Sequence, residues 1–203
     1  ADETENWELG IKGYLMEGQL QYTAAAFFTT WDNPQLNAFV SIAGLPAVVN
    51  ASEAETQGLE LSMNGNVTDR LSFYVGYNYT DAELTDDFAV GGVSGAKGDD
   101  LPNIAEHMAN GSVDYIIPSL VADFDLALHL DGRYKSSSRN DLAGGVNDDK
   151  FDSFSIFNAS VSLVDSNWAL TLFANNLTDE TDAVTSSASQ LGSDWESAER
   201  PRS

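Results

Sequence analysis

Residues 53–80 read EAETQGLELSMNGNVTDRLSFYVGYNYT, two alternating runs joined by a short polar stretch. The apolar positions are Leu59, Leu61 and Met63 in the first run and Leu71, Phe73, Val75, Tyr77 and Tyr79 in the second. Strict period-two alternation is typical of a strand with two unlike faces. Asn64–Gly65, followed by further turn residues up to Asp69, supplies turn chemistry. The stretch therefore predicts an antiparallel hairpin.

The composition excludes several classes of function. The 203 residues include no Cys, so neither a disulfide framework nor a thiolate metal site can form. With 32 acidic and 9 basic residues the net charge is −23, which argues against nucleic acid as a partner because phosphate binding needs Lys and Arg. No apolar run reaches the roughly 18 residues of a membrane helix. The start lacks the features of a signal peptide, so we expect any export signal to be removed or to lie outside the chain.

The same alternation recurs along the chain. It predicts further strands at Trp7–Leu15, Gln19–Trp31, 106–117, Phe124–Lys135, 157–163 and 168–173. Pro118–Ser119 is expected to end the strand at 106–117, and Asn110–Gly111 inside that strand leaves an additional hairpin turn open. We find no linker, so residues 1–203 are expected to form one segment.

Connection lengths alternate between short and long. Short turns are predicted near residues 17, 66, 119 and 166, and long loops near 43, 92, 143 and 188. An up-and-down meander with this pattern has a short-turn end and a long-loop end, as transmembrane β-barrels do, whereas a sandwich has less reason to sort its loops. Polar residues in mid-strand occupy the face opposite the apolar one: Glu60, Asn78, Arg133 and Asn158. This predicts an all-β antiparallel meander of about eight strands, a partial transmembrane barrel with short periplasmic turns, long extracellular loops and a polar lumen.

Several segments together resemble one family. ENWELGIKGYLMEGQLQYTAAAFFTTWDN (5–33), the organising hairpin with its extension DAEL (53–84), LPNIAEHMANGSVDY (101–115) and WALTLFANNLTDE (168–180) are similar to barrel segments of the TonB-dependent outer-membrane receptors. The closing RPRS (200–203) resembles the lead-in to the family's final strand. The order and spacing of these segments carry the resemblance over nearly the whole chain.

The resemblance implies a C-terminal barrel segment in the outer membrane of a Gram-negative bacterium. Family barrels have roughly 22 strands around a plugged lumen, so the plug domain and the final strand are expected outside this chain. The implied function is TonB-dependent uptake of a ferric siderophore, cobalamin or a glycan. The implied partners are the rest of the barrel, the plug, the TonB complex through the plug, outer-membrane lipid and the small-molecule cargo.

An alternative to the receptor is a self-contained binding or structural module. It would be either a small outer-membrane barrel or a secreted β-sandwich. Barrel closure distinguishes the two hypotheses, because direct pairing of the strand at Trp7–Leu15 with the strand near Trp168 would favour the self-contained module.

The candidate ligand-binding residues are those expected to project into the lumen. They are Phe27, Tyr74, Arg133 and Phe173. No catalytic residue, metal site or cofactor is expected, because the chain lacks a G-x-S-x-G motif, and His107 and His129 lie on different strands without ligand spacing. Asp81–Glu83 and Asp148–Asp149 could bind Ca²⁺ but lack regular spacing, which favours solvated acidic loops.

Two further features belong to the ends of the predicted barrel. Aromatic residues near strand ends suit interfacial girdles: Trp7, Trp31, Tyr79, Tyr115 and Trp168. Acidic residues cluster in the long loops, among them Asp86, Asp87, Asp99 and Asp100. Such an acidic rim would repel anionic ferric siderophores and tolerate neutral or cationic cargo.

Overall fold

The structure is a computed structural model that describes residues 2–40, 45–121, 123–143, 148–181, 183–187 and 195–198. Gly144–Gly145 of the third long loop and the closing RPRS lie outside these residues. The strands are β1 Glu3–Leu15, β2 Leu20–Asp32, β3 Gln35–Val40, β4 Leu45–Asn50, β5 Glu53–Thr68, β6 Leu71–Leu84, β7 Phe88–Val90, β8 Val93–Gly95, β9 His107–Val121, β10 Phe124–Lys135, β11 Ser138–Arg139, β12 Lys150–Phe151, β13 Phe154–Val164, β14 Ala169–Ala174, β15 Ala183–Ser187 and β16 Trp195–Ala198. Within the described part, no helix is long and apolar enough to cross a membrane.

Eight of the strands form one sheet in the order β1-β2-β5-β6-β9-β10-β13-β14. Every neighbouring pair is antiparallel, which confirms the predicted meander. The remaining strands form two-stranded hairpins: β3-β4, β7-β8, β11-β12 and β15-β16. The first three of these hairpins lie in the long connections, so the long-loop end has a structure of its own that alternation did not predict.

The register divides the sheet into two chemically distinct faces. Leu59 lies opposite Tyr79 and Leu61 opposite Tyr77, whereas Glu60 lies opposite Asn78. The apolar face continues through these residues, each 36–47% exposed: Leu59, Leu61, Val75, Tyr77, Val113, Leu130, Phe157 and Val161. No described element covers this face, so it is not the interior of a sandwich.

The sheet is open at both sides. β1 pairs only with β2, and β14 pairs only with β13. Leu9 on β1 is 80% exposed and Leu172 on β14 is 77% exposed, because each lies on a strand with a neighbour on one side only. The pairing of first and last strands that would favour a small closed barrel is therefore absent from the described sheet.

The turn between β5 and β6 lies beyond the predicted Asn64–Gly65 position. Asn64 pairs with Tyr74 and Gln21, so it lies inside the sheet, and the turn is formed by Asp69 and Arg70 instead. The Thr68 hydroxyl accepts hydrogen bonds from the backbone N–H groups of Arg70 (3.2 Å) and Leu71 (3.1 Å). This side-chain bonding to the backbone is the local signal that fixes the turn.

β9 differs from its predicted bounds in a similar way. Asn110–Gly111 lies inside the strand between β6 and β10, so the additional hairpin turn that the sequence left open does not form. The predicted stop at Pro118–Ser119 is wrong, because β9 continues to Val121. Ser119 has a φ of +49° and its backbone N–H donates to Asp125 Oδ1 at 2.8 Å, beside the register shift between Phe124 and Leu126. Pro118–Ser119 therefore lies beside an irregularity within the strand and does not end it.

The buried core lies at the long-loop end, on the polar side of the sheet. One cluster within it consists of Val49, Ala51, Ala54, Ala82, Leu84, Phe88, Leu101 and Leu142. We call this set the loop cluster. Trp31 packs against it, which corrects the expectation that Trp31 belongs to a lipid-facing girdle, because its position opposite Ala54 places it on the polar side. Apolar packing in the loop cluster thus holds the long connections together at the long-loop end, on the polar side of the sheet.

Candidate functional site

Two of the predicted lumen residues lie flat against the polar face. An ideal Cβ built on Gly58 would lie 2.6 Å from Cζ of Phe27, and one built on Gly76 would lie 2.6 Å from the hydroxyl oxygen of Tyr74. Phe27 is the register partner of Gly58, and Tyr74 precedes Gly76 by two residues on the same face. Each aromatic ring therefore occupies the space that a side chain at the glycine would need.

Arg133 lies on the same face, one strand beyond β9. Its guanidinium carbon is 5.8 Å from the ring centroid of Phe154, within the range of a cation–π contact. Arg133, Tyr74, Asn110 and Phe154 all line one groove of about 550 Å³. The structure thus brings Tyr74 and Arg133 together.

The other two predicted residues stand apart from this groove. Phe173 lies on the edge strand β14 opposite Ser160 and is 60% exposed. Phe27 lies on β2, and its contact with Gly58 places its ring against the wall. All four residues share the polar face, but the groove joins only two of them. Their binding of ligand remains a prediction.

A polar network crosses the same face nearer the short turns. His129 Nδ1 lies 2.7 Å from Asp114 Oδ1, and its Nε2 lies 3.3 Å from Asp131 Oδ1. Asn158 Nδ2 donates to the other oxygen of Asp131 at 2.8 Å. From the sequence alone His129 is only a possible metal ligand, whereas the register places it opposite Asp114, with Asp131 two residues along its own strand. The network satisfies polar groups on three adjacent strands.

Asn158 continues this network into the segment after β14. Its Oδ1 accepts the backbone N–H of Asn176 at 2.9 Å, and Asn176 Nδ2 donates to the carbonyl of Glu180 at 2.7 Å. Asn176 is only 4% exposed and has a φ of +52°. Asparagine tolerates this left-handed conformation better than most residues. In the sequence, only a turn-favouring residue before a polar tail marks Asn176. Its partner Asn158 on β13 could not be identified without the strand register.

Neither histidine belongs to a metal cluster in the described structure. Within the described ranges there is no group of three or more His, Cys, Asp or Glu residues that could hold a metal ion. His107 lies on the apolar side, where its Nδ1 is 2.8 Å from the Tyr77 hydroxyl. Asp81 and Glu83 lie on β6 and not in a loop, and Asp148 forms an ion pair with Arg139.

Several loop carboxylates accept hydrogen bonds from the loop backbone. Asp99 Oδ2 accepts from the N–H of Ala96 at 2.8 Å, and Asp87 Oδ1 accepts from the N–H of Lys97 at 2.8 Å. Asp86 Oδ1 accepts the N–H of Asp87 at 2.9 Å. These carboxylates help to fix the second long connection as well as contributing negative charge.

Comparison with known proteins agrees with this geometry. A family model described as "TonB dependent receptor-like, beta-barrel" matches residues 2–177. The chain belongs to this family. The match confirms the resemblance read from the sequence, and it identifies the chain as a segment of a Gram-negative outer-membrane barrel. The apolar face is accordingly the lipid-facing side, and the polar face lines the lumen.

Curated relatives of the chain include two receptors. It is 32% identical over 84 residues to a probable TonB-dependent siderophore receptor, PiuA, of Acinetobacter baumannii, a match covering 41% of this chain and 11% of the relative. It is 35% identical over 106 residues to the metal-pseudopaline receptor CntO of Pseudomonas aeruginosa, covering 52% of this chain and 14% of the relative. The matches therefore extend over less than a sixth of either relative.

Solved structures share the fold over almost the whole chain. The crystal structure of PiuA from Acinetobacter baumannii superposes with a TM-score of 0.75 at 24% identity, covering 98% of this chain and 27% of that one. The crystal structure of the ferric yersiniabactin uptake receptor FyuA from Yersinia pestis superposes with a TM-score of 0.78 at 19% identity, covering 99% of this chain and 28% of that one. At these identities the likeness is one of fold, and the chain corresponds to about a quarter of each structure.

Proposed function

We propose that this chain forms part of the wall of an outer-membrane receptor that imports a metal chelated by a small organic ligand, a ferric siderophore above all. The observation that supports this proposal most is the family match over residues 2–177, on a sheet with one lipid-facing and one polar face. The curated relatives named above are receptors for a siderophore and for metal-pseudopaline. Its role is transport and not catalysis.

The remaining partners follow from this role. The rest of the barrel continues from the open edges at β1 and β14, because an unpaired strand edge is not tolerated in lipid. A plug domain occupies the lumen, and the TonB complex acts on the receptor through the plug. Tyr74 and Arg133 contact cargo or plug along the groove, and Phe27 and Phe173 offer further contacts elsewhere on the same polar face.

Uptake in cells tests the proposal directly. The full-length receptor that contains this segment is expressed in a strain lacking its other siderophore receptors, and accumulation of iron-55 is measured for a panel of ferric siderophores. At least one siderophore should be accumulated, and deletion of the TonB protein should abolish that accumulation. Accumulation that is independent of TonB, or accumulation of none of the chelates, would refute the proposal.

A further inference from the structure

The tightest contact in the groove is between Tyr74 and Gly76. An ideal Cβ on Gly76 would lie 2.6 Å from the Tyr74 hydroxyl oxygen and 2.7 Å from Asn110 Oδ1. Carbon and oxygen atoms that are not bonded do not approach so closely, so no other residue type fits here without moving these groups. Gly76 itself is buried beneath them. The tip of the tyrosine therefore lies on the wall because residue 76 has no side chain.

Gly58 differs from Gly76 in what surrounds it. Its Cβ would meet not only the Phe27 ring but also the Tyr79 carbonyl oxygen, at 2.1 Å. A side chain at Gly58 would therefore disturb strand pairing itself. At Gly76 the nearest atoms are the ends of two side chains, which can move. A substitution at Gly76 thus changes the ring position with the sheet retained.

We propose that Gly76 is a positioning residue that holds Tyr74 flat and so keeps the groove beside Asn110 and Arg133 open along the lumen wall. A methyl group at residue 76 would turn the ring away from the wall and into the groove of about 550 Å³. Interior positions of a barrel decide what the lumen can hold. The inference rests on the proposed uptake function, because it assigns the groove to the path of cargo or of the moving plug.

The lipid-facing side offers a matched control. An ideal Cβ on Gly132 would lie 2.6 Å from Cδ1 of Phe157, so this glycine also accommodates an aromatic ring. Gly132 and Phe157 are register partners on the apolar face. Gly132→Ala therefore introduces the same kind of clash, but it displaces a ring into lipid and leaves the lumen unchanged.

The first experiment compares uptake and binding in the full-length receptor. Gly76→Ala should lower the maximal rate of ferric siderophore uptake roughly threefold or more. An effect of this size corresponds to the interaction free energies usually found between residues in contact. The affinity for the siderophore at the cell surface should be unchanged. Gly132→Ala should change neither quantity. In a Tyr74→Ala background, adding Gly76→Ala should have a smaller effect, because the ring is gone and only the Asn110 amide, 2.7 Å from the new Cβ, remains to be displaced.

The second experiment follows the ring itself and does not depend on uptake. Nitration of Tyr74 by tetranitromethane, quantified by mass spectrometry in the folded receptor, should be faster in Gly76→Ala than in the unmodified protein. If no chelate is imported by the unmodified receptor, the proposed function fails, and nitration still reports on the position of Tyr74.

Three results would overturn the inference. The first is an unchanged nitration rate in Gly76→Ala. The second is faster nitration with unchanged uptake. The third is that Gly76→Ala lowers uptake by the same factor in the Tyr74→Ala variant as in the otherwise unmodified receptor. Should Gly76→Ala not assemble, assembly of the double variant would support the clash with the ring, and failure of both variants would overturn it.

Discussion

At the scale of single residues, adjacent positions on a strand lie in different solvents. Val75 is 46% exposed on the lipid-facing side, opposite Met63 and Gly111. Tyr74, its neighbour in sequence, lies over Gly76 on the lumen side. Successive residues of the strand therefore face hydrocarbon and water in turn. The stability cost of introducing a charge depends on whether the residue faces lipid or the lumen.

Val75→Arg tests the lipid-facing assignment. The substitution should lower the free energy of unfolding by about 2–4 kcal/mol if Val75 lies near the bilayer midplane, because a guanidinium is poorly solvated by lipid. Thr23→Arg is the matched control, since Thr23 is exposed on the lumen side and should cost no more than about 0.5 kcal/mol. Urea titration of the full-length receptor in lipid vesicles measures both, and equal costs would contradict the assignment.

Asn158 links the sheet to the segment after β14. Asn158→Ala removes the acceptor of the Asn176 N–H and the donor to Asp131, both in part-buried surroundings. The variant should lose about 1–3 kcal/mol of stability, the usual cost when a buried polar group loses its partner. Ser162→Ala, which removes an exposed hydroxyl pair with Thr171, should cost less. Denaturant unfolding compares them, and an equal or smaller loss for Asn158→Ala would argue against the link.

At the scale of elements, the two Asn–Gly pairs show why turn signals can mislead. A Cβ on Gly65 would lie 2.1 Å from the carbonyl oxygen of Gln19, and one on Gly111 would lie 3.0 Å from that of Tyr74. In both places glycine permits close approach of neighbouring strands and does not form a turn. Thr68 is the residue that binds the turn backbone.

Insertions distinguish the two positions. Two residues inserted between Asp69 and Arg70 lengthen a short turn and should allow normal assembly. The same insertion between Asn64 and Gly65 interrupts pairing with both β2 and β6 and should prevent most receptor molecules from folding. The shift in mobility on heating before gel electrophoresis reports the folded fraction. Equal folding of both insertion variants would refute the assigned turn.

The sequence was sufficient for the strands and insufficient for what lies between them. Period-two alternation identified the sheet and the polar side of Phe27, Tyr74, Arg133 and Phe173, because each face has a different solvent. The short hairpins of the loops, such as Phe88–Val90 with Val93–Gly95, are too brief to show a period. Contacts across strands depend on register. The register could not be deduced from the sequence, because the turn was predicted at Asn64–Gly65 and lies at Asp69–Arg70.

At the scale of the whole molecule, charge and apolar packing are unevenly distributed. Loop carboxylates at Asp86, Asp87, Asp99 and Asp100 belong to the extracellular end. Asp87 and Asp99 accept the backbone N–H groups of Lys97 and Ala96, which lie farther along the loop, whereas Asp86 accepts that of its neighbour Asp87 and Asp100 is exposed. The second pair can therefore be neutralised with less disturbance of the loop.

Asp86→Asn with Asp100→Asn tests whether the acidic rim selects cargo. Removing two negative charges should strengthen binding of an anionic ferric siderophore about twofold or more and weaken its dependence on salt, because repulsion between exposed charges is screened by ions. Affinity is measured at several salt concentrations in the full-length receptor. Thr85→Ala serves as a control in the same loop. Unchanged affinity together with unchanged salt dependence would mean that the rim is only solvated surface.

The loop cluster has a consequence for recognition from outside the cell. Ala51, Phe88 and Leu142 come from three different long connections and are each at most 8% exposed. An antibody or bacteriophage that approaches the bacterium therefore meets one composite epitope and not three independent peptides. A synthetic peptide copied from a single connection would lack the neighbours that fix its shape. Immunisation against this surface accordingly requires the folded barrel as the antigen.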